Sequence, residues 1–308
     1  MLNPKDIFPI GIGTWGLGGF MQKDDSIDPS KESDSVAYSI DRGMNYIETG
    51  IWGETQHTIR IVADGVKKSG KKREELFYTL TVDSENLEDG DTLNTFLNTA
   101  FEILETNYLD CLQLEMRVFA KRSKTDLMDI LKPFLEENKI RFISLTNNDL
   151  ATLQHMHKLL GDKLFSQEII YNFEIRDYED WGNLEFANIN KIRNVVFQPL
   201  RRNRTSNNNY PLLQELSKKY GKTQNQIILN WLVAQNTLPI TKSSNISHID
   251  EHIDSLTFKL DEDDMRKMNE FRHPKWKAPL VDWYELGEGG IPIHQFPNQF
   301  DSIVGKQP

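Results

Sequence analysis

Two hydrophobic periods alternate along the chain. Short β-rich runs occupy 7–14 (IFPIGIGT), 45–49 (NYIET), 75–82 (ELFYTLTV), 108–116 (YLDCLQLEM), 139–145 (KIRFISL), 165–172 (FSQEIIYN), 194–200 (NVVFQPL) and 237–243 (TLPITKS). Between them lie longer stretches whose apolar residues recur every three or four positions, the spacing of a helix with one buried face. In 91–107 that face is Leu93, Phe96, Leu97, Ala100, Phe101 and Leu104; in 124–138 it is Leu127, Ile130, Leu131, Phe134 and Leu135, with Pro133 predicting a kink or a boundary. Strand and helix in strict alternation predict a parallel sheet with helical crossovers, and eight strands are the number that closes a barrel with a filled interior. The expected fold is an α/β (β/α)8 TIM barrel, one domain over 1–308.

The pattern changes near the C-terminus. Acidic residues in LDEDDMRKMNEF favour a helix start, after which 273–308 become an aromatic, Gly- and Pro-rich tail. Trp276, Trp283, Tyr284, Phe296 and Phe300 are costly to leave in water, so the tail is expected to pack on the barrel.

With 46 acidic against 36 basic side chains the net charge is −10, which disfavours phosphate backbones and argues against nucleic acid as a partner. No apolar run reaches the length of a membrane span and no leader pattern opens the chain, so a soluble cytoplasmic protein is expected. The lone Cys111 lies in an apolar run and reads as a buried, inert thiol.

Several segments, among them IGIGTWGLGG, AYSIDRGMNYIETG, NYLDCLQLE, QEIIYNFEIRD, VVFQPLRR, ELSKKYGKTQNQIILNWLVAQ and LPITKSSNISHIDEHI, fall in an order and spacing that resemble the aldo-keto reductases from about Ile10 to Leu260. That resemblance implies carbonyl reduction by a nicotinamide hydride, with a Tyr as proton donor, a Lys that lowers its pKa, an Asp paired to the Lys, and a His near the carbonyl. Here every one of the four is replaced. Glu48 stands at the Asp position, Trp52 at the Tyr, Thr81 at the Lys and Glu115 at the His. An indole N–H is no acid near neutral pH, and a hydroxyl cannot depress a neighbour's pKa as an ammonium does.

The cofactor positions are better kept. The resemblance implies Thr146 and Asn147 as the pair that holds the nicotinamide amide, helped by Glu168, or by Gln167 in a shifted register. Phe197 is either the ring that stacks on the nicotinamide or a core Phe. Lys242 and Ser243, with Arg204, match a site for an adenosine 2′-phosphate, and Glu251 the adenine contact; the plain alternative is a solvated Lys beside a helix cap. The expected cofactor is NADP(H). Three functions remain open at this point: a weakly active or non-standard oxidoreductase or binding protein, an enzyme using Glu48 and Glu115 as an acid–base pair, and a barrel serving as an interaction scaffold. Arg117 is either a surface ion-pair partner or an anion contact.

Overall fold

The computed structural model describes residues 1–273. In chain order its elements are β1 (Gly11–Gly13), α1 (Pro29–Asp41), β2 (Tyr46–Gly50), α2 (His57–Ser69), β3 (Phe77–Val82), α3 (Gly90–Ile103), β4 (Leu109–Leu114), α4 (Met116–Lys121), α5 (Lys124–Glu136), β5 (Ile140–Thr146) and α6 (Leu150–Leu160). There follow β6 (Leu164–Ile170), α7 (Asp177–Asp180), α8 (Asn183–Ile189), β7 (Arg193–Phe197), α9 (Arg204–Asn207), α10 (Pro211–Tyr220), α11 (Gln224–Ala234), β8 (Thr237–Thr241), α12 (Ile246–Asp254) and α13 (Glu262–Glu270). The eight strands pair in parallel in sequence order, and β8 closes on β1. The predicted barrel is the observed one.

Alternation along each strand divides the side chains between two environments. Ile47, Leu80, Leu112, Ile143 and Leu145 face the helices and join the outer core with Leu93, Leu97 and Ala100 of α3 and Leu127, Leu131 and Phe134 of α5. Pro133 does not end α5. It lies on the exposed side near the C-terminus, where water can satisfy the carbonyl it leaves without a donor, while Leu131, Phe134 and Leu135 stay anchored below.

The opposite residues fill the barrel in two zones. The N-terminal half is an aromatic plug in which Phe77 lies 5.7 Å from Tyr46, 4.8 Å from Phe165 and 6.3 Å from Phe142, ring centre to ring centre. Cys111, Val195, Leu238 and Ile240 complete it, and burial pushes the Cys111 thiol well up, in keeping with an inert role. Glycine is required at Gly11, because a Cβ there would sit 2.7 Å from the Tyr46 ring and 2.9 Å from Ile240. Above the plug the lining turns polar, and that change of character positions the candidate site. The aromatic tail expected over 273–308 lies, apart from His273, outside the described residues.

Candidate active site

Glu48, Thr81, Gln113, Ser144 and Ser166 come from five consecutive strands and share the inner face above the plug. Their side chains form one directed chain of hydrogen bonds. The Ser166 hydroxyl donates to Ser144 Oγ at 2.8 Å, Ser144 to Gln113 Oε1 at 3.4 Å, Gln113 Nε2 to Thr81 Oγ1 at 3.2 Å, and Thr81 to Glu48 Oε1 at 3.3 Å. Every donor points toward Glu48. Each is an uncharged group, so the buried carboxyl is met by dipoles alone.

Glu168, on β6, faces the same interior and is also buried. Its Oε2 has no hydrogen-bond partner. Burial raises its pKa well above the ordinary carboxyl value, and the charge of Glu48 raises it further; Gln113 offsets part of this. Burial likewise pushes Glu48 up to about 7, against the lowering effect of Thr81 and of the Thr14 backbone N–H. Two carboxyls that feel each other in a dry interior, with no cation among the groups acting on them, favour holding a proton. Glu168 faces inward, whereas Gln167 faces the helices, donating to the Asn183 carbonyl at 3.1 Å and to Asn194 Oδ1 at 2.6 Å.

The pairing of Glu48 with Glu115 does not form. Glu115 follows β4 as the N-cap residue of α4, and its Oε1 accepts Arg117 Nε at 2.8 Å and Nη2 at 2.5 Å. Burial raises the Glu115 pKa and Arg117 lowers it, with Asp83 and Lys121 as smaller influences; Glu48 is absent from that set. Arg117, 31% exposed, is therefore an ion-pair partner of the residue two before it. Chain turning after β4 directs Glu115 toward its own helix rather than across the barrel.

Trp52 closes the end of β2 from above. Gly50 makes room for it, since a Cβ there would lie 2.4 Å from the indole. The indole meets Trp15 edge-on at 4.8 Å, Trp15 meets Phe20 at 5.8 Å, and the Arg202 guanidinium lies 5.0 Å from the Phe20 ring centre. An aromatic corner thus stands where the proton donor was expected. Neither nearby tyrosine replaces it. Burial and the charge of Glu168 raise the Tyr46 hydroxyl well above its usual range, and burial pushes Tyr78 up to about 12, despite Arg73 packed 4.1 Å from its ring centre.

Thr146, Glu168 and Phe197 sit on three adjacent strands at their C-terminal ends, with Thr146 in register with Glu168 and Ile170 with Phe197. The Thr146 hydroxyl is buried without a partner, and Asn147, at φ 53°, donates its backbone N–H to the Glu168 carbonyl at 2.9 Å. Such an orphaned hydroxyl beside a side chain able to hold a proton fits a polar amide ligand.

At the far end Lys242 follows β8. Its ammonium is 3.2 Å from Glu32 Oε1 on α1 and 3.2 Å from Ser244 Oγ, while Ser244 also donates to Glu32. Ser243 folds onto Asn245, accepting its N–H at 3.0 Å, and Asn245 caps α12. Glu251 accepts the hydroxyl of Thr223, and Arg204 opens α9 half-buried. His252 is buried, and desolvation lowers its pKa to about 4.

Two surface cavities open elsewhere. One of about 580 Å³ lies among Arg73, Phe101, Glu105 and Tyr108 toward the N-terminal side of the barrel; another of about 460 Å³ lies between Ile51, Asn86 and the α3 residues Thr92, Thr95, Phe96 and Thr99. Neither is lined by Glu48, Trp52, Thr81 or Glu115. Glu48 and Thr81 meet, Trp52 lies above them, and Glu115 goes its own way.

Residues 9–273 match the model of the aldo/keto reductase family. The chain belongs to that family. It is 24% identical over 270 residues to the 9,11-endoperoxide prostaglandin H2 reductase of Trypanosoma cruzi, with 86% of this chain and 88% of the relative covered. It is 25% identical over 273 residues to the glyoxal reductase of Bacillus subtilis, covering 87% and 92%. Among solved structures, a thermostable aldo-keto reductase crystallised with epalrestat superposes with a TM-score of 0.78 at 27% identity, covering 85% of this chain and 94% of that one. The Klebsiella pneumoniae aldo/keto reductase in complex with NADP and acetate shares the fold at 18% identity, with a TM-score of 0.75 over 88% and 94%. Among the described residues no helix is long and apolar enough to cross a membrane.

Sequence reading missed Gln113, Ser144, Ser166 and Glu32. The first three carried a signal, since they continue the inward, every-second-residue positions of their strands. Glu32 carried none, being 210 residues from Lys242.

Proposed function

We propose that this family member is a nicotinamide-dinucleotide-binding barrel, with NADP(H) as the ligand, whose ordinary carbonyl-reducing chemistry is suppressed by loss of the proton relay. The observation that carries this reading is the pairing of the buried Glu48 carboxyl with a Thr81 hydroxyl instead of a cation, beneath an indole whose N–H is no acid near neutral pH. When bound, the nicotinamide supplies the hydride. Thr146 and Asn147 would hold its amide, Phe197 would offer a ring face, and Lys242, Ser243 and Arg204 would meet the adenosine phosphate. The orphaned Thr146 hydroxyl and the solved relatives with NADP support that assignment. Glu251 is already engaged by Thr223, which leaves it poorly suited to an adenine contact.

General acid catalysis contributes roughly 10²- to 10⁴-fold, so turnover of simple aldehydes and ketones falls by about that factor relative to active relatives. A second reading has a specific observation in its favour. Glu168 carries a raised pKa and an unpartnered oxygen, so a carboxyl acid is available in the barrel. The experiment measures NADPH binding by fluorescence titration and NADPH oxidation against aromatic aldehydes, quinones and sugars. Binding without robust turnover, and a gain in the double variant Trp52→Tyr with Thr81→Lys, is the expected result. Robust wild-type turnover that Glu168→Gln abolishes replaces the first reading by the second, and robust turnover untouched by Glu48→Gln and Glu168→Gln sinks both.

A further inference from the structure

Lys242 is the cation best placed for a 2′-phosphate, yet it does not stand waiting for one. Its ammonium contacts Glu32 at 3.2 Å, and the Ser244 hydroxyl donates to that same oxygen. Lys242 is 33% exposed, whereas Glu32 is only 5% exposed. The lysine is therefore reachable from solvent and its carboxylate partner is fixed in the protein. Glu32 lies in the first turn of α1, where the helix N-terminus favours a negative charge. Its other oxygen, Oε2, is buried without a hydrogen bond, so among the described residues Lys242 and Ser244 supply the hydrogen bonds the carboxylate has.

A phosphate arriving at Lys242 meets two obstacles from Glu32. It must share or take an ammonium already paired, and it must bring negative charge next to a fixed buried carboxylate. A dinucleotide that carries a hydroxyl at this point meets neither. From this we infer that Glu32 is a specificity-determining residue, an internal competitor for Lys242 that narrows the preference for NADPH over NADH. This deepens the cofactor reading proposed above and rests on it.

The test is a double-mutant cycle on the full chain, with the dissociation constants of NADPH and NADH measured by fluorescence titration for wild type, Glu32→Gln, Lys242→Ala and the double variant. Glu32→Gln is expected to raise the NADPH:NADH affinity ratio roughly tenfold, the scale of a charge-assisted contact set free. The gain should vanish in the Lys242→Ala background. A general loosening of the fold would move both nucleotides together, whereas the inference requires their ratio to move. Glu32→Asp, which keeps the charge but shortens the reach by one methylene, guards against a misfolded Gln variant; it should raise the ratio by less than Gln does. If wild type binds NADPH and neither substitution changes the ratio, the inference is overturned and the cofactor reading stands. If wild type binds neither nucleotide, both fall together.

Discussion

Replacing Glu48 by glutamine removes a carboxyl whose burial conflicts with its charge, and the size of that conflict can be worked out. Its pKa rises from 4.5 in the unfolded chain to about 7 in the fold, chiefly through desolvation. The contribution is fully present below the unfolded value and is lost as pH rises through the folded one, which amounts to about 3 kcal/mol between those limits. Glu168 extends the loss to higher pH, because its pKa is raised further by burial and by Glu48. The wild-type profile will not display this directly. His252 is shifted the other way, from 6.5 to about 4 by desolvation. A depressed histidine contributes stability above its unfolded value and loses it as pH falls through the folded one, again about 3 kcal/mol. Between pH 4.5 and 6.5 the histidine slope offsets only one of the two carboxyls, so the wild type is expected to lose stability there as pH rises, with roughly the slope of a single carboxyl. The difference between Glu48→Gln and wild type removes the histidine from the comparison and reports the Glu48 carboxyl together with the relief of Glu168, whose pKa Glu48 raises. Urea unfolding followed by circular dichroism should find the variant within about 1 kcal/mol of wild type near pH 4.5 and more stable by about 3 kcal/mol near pH 8. A difference that stays constant across that range would mean that Glu48 ionises normally, and the two-carboxyl description of the barrel would be wrong.

Two further outcomes follow from the packing. Asp110, fully buried, bonds Arg73 at 2.7 Å and Arg141, and also accepts the Tyr78 backbone N–H at 2.9 Å, so Asp110→Asn should cost about 3–5 kcal/mol in urea unfolding by leaving two guanidinium groups without their counter-charge. Leu97→Ala, at a fully buried position of α3, should lower stability by about 2–5 kcal/mol with an unchanged m-value, and a smaller loss would mean that the helix face repacks freely.

The fold was legible because its determinants are local. Each predicted run contains its observed strand to within one residue, and the face of α3 read from Leu93, Phe96, Leu97 and Ala100 is the buried one. Local rules also erred locally: Pro133 was read as an interruption, and neighbouring buried side chains carried the helix through it. The site was legible only in part. Alternation alone orients Glu168 inward and Gln167 outward once the strand is fixed, and the family resemblance singled out Glu48, Trp52, Thr81 and Glu115, which lie in or just beyond their strands. Which charges pair was not legible. Glu48 and Glu168 come from strands four apart around the barrel, and Lys242 finds Glu32 through the closure of β8 on β1. Conversely, Glu115 looked available to Glu48 until the turn after β4 brought Arg117 onto it. Partners across a barrel depend on side-chain reach and local chain direction, which strand-end position does not encode.

These pairings have a common consequence for how the protein's chemistry is to be found. At the mouth and around the cofactor positions, charged groups that would greet a ligand already have internal partners: Arg117 holds Glu115, Glu32 holds Lys242, and Thr223 holds Glu251. A ligand gains from such groups only the difference between its own contact and the one it displaces, so simple side-chain inventories overstate affinity. Glu48 and Glu168 differ. Among the described residues no cation acts on either, and Glu168 keeps an oxygen without a partner there. Burial and the charge of Glu48 favour a protonated Glu168, and the departure of that proton carries a penalty that an incoming positive or hydrogen-bond-donating group would relieve. Substitutions at these two carboxyls should therefore change pH dependence before they change binding.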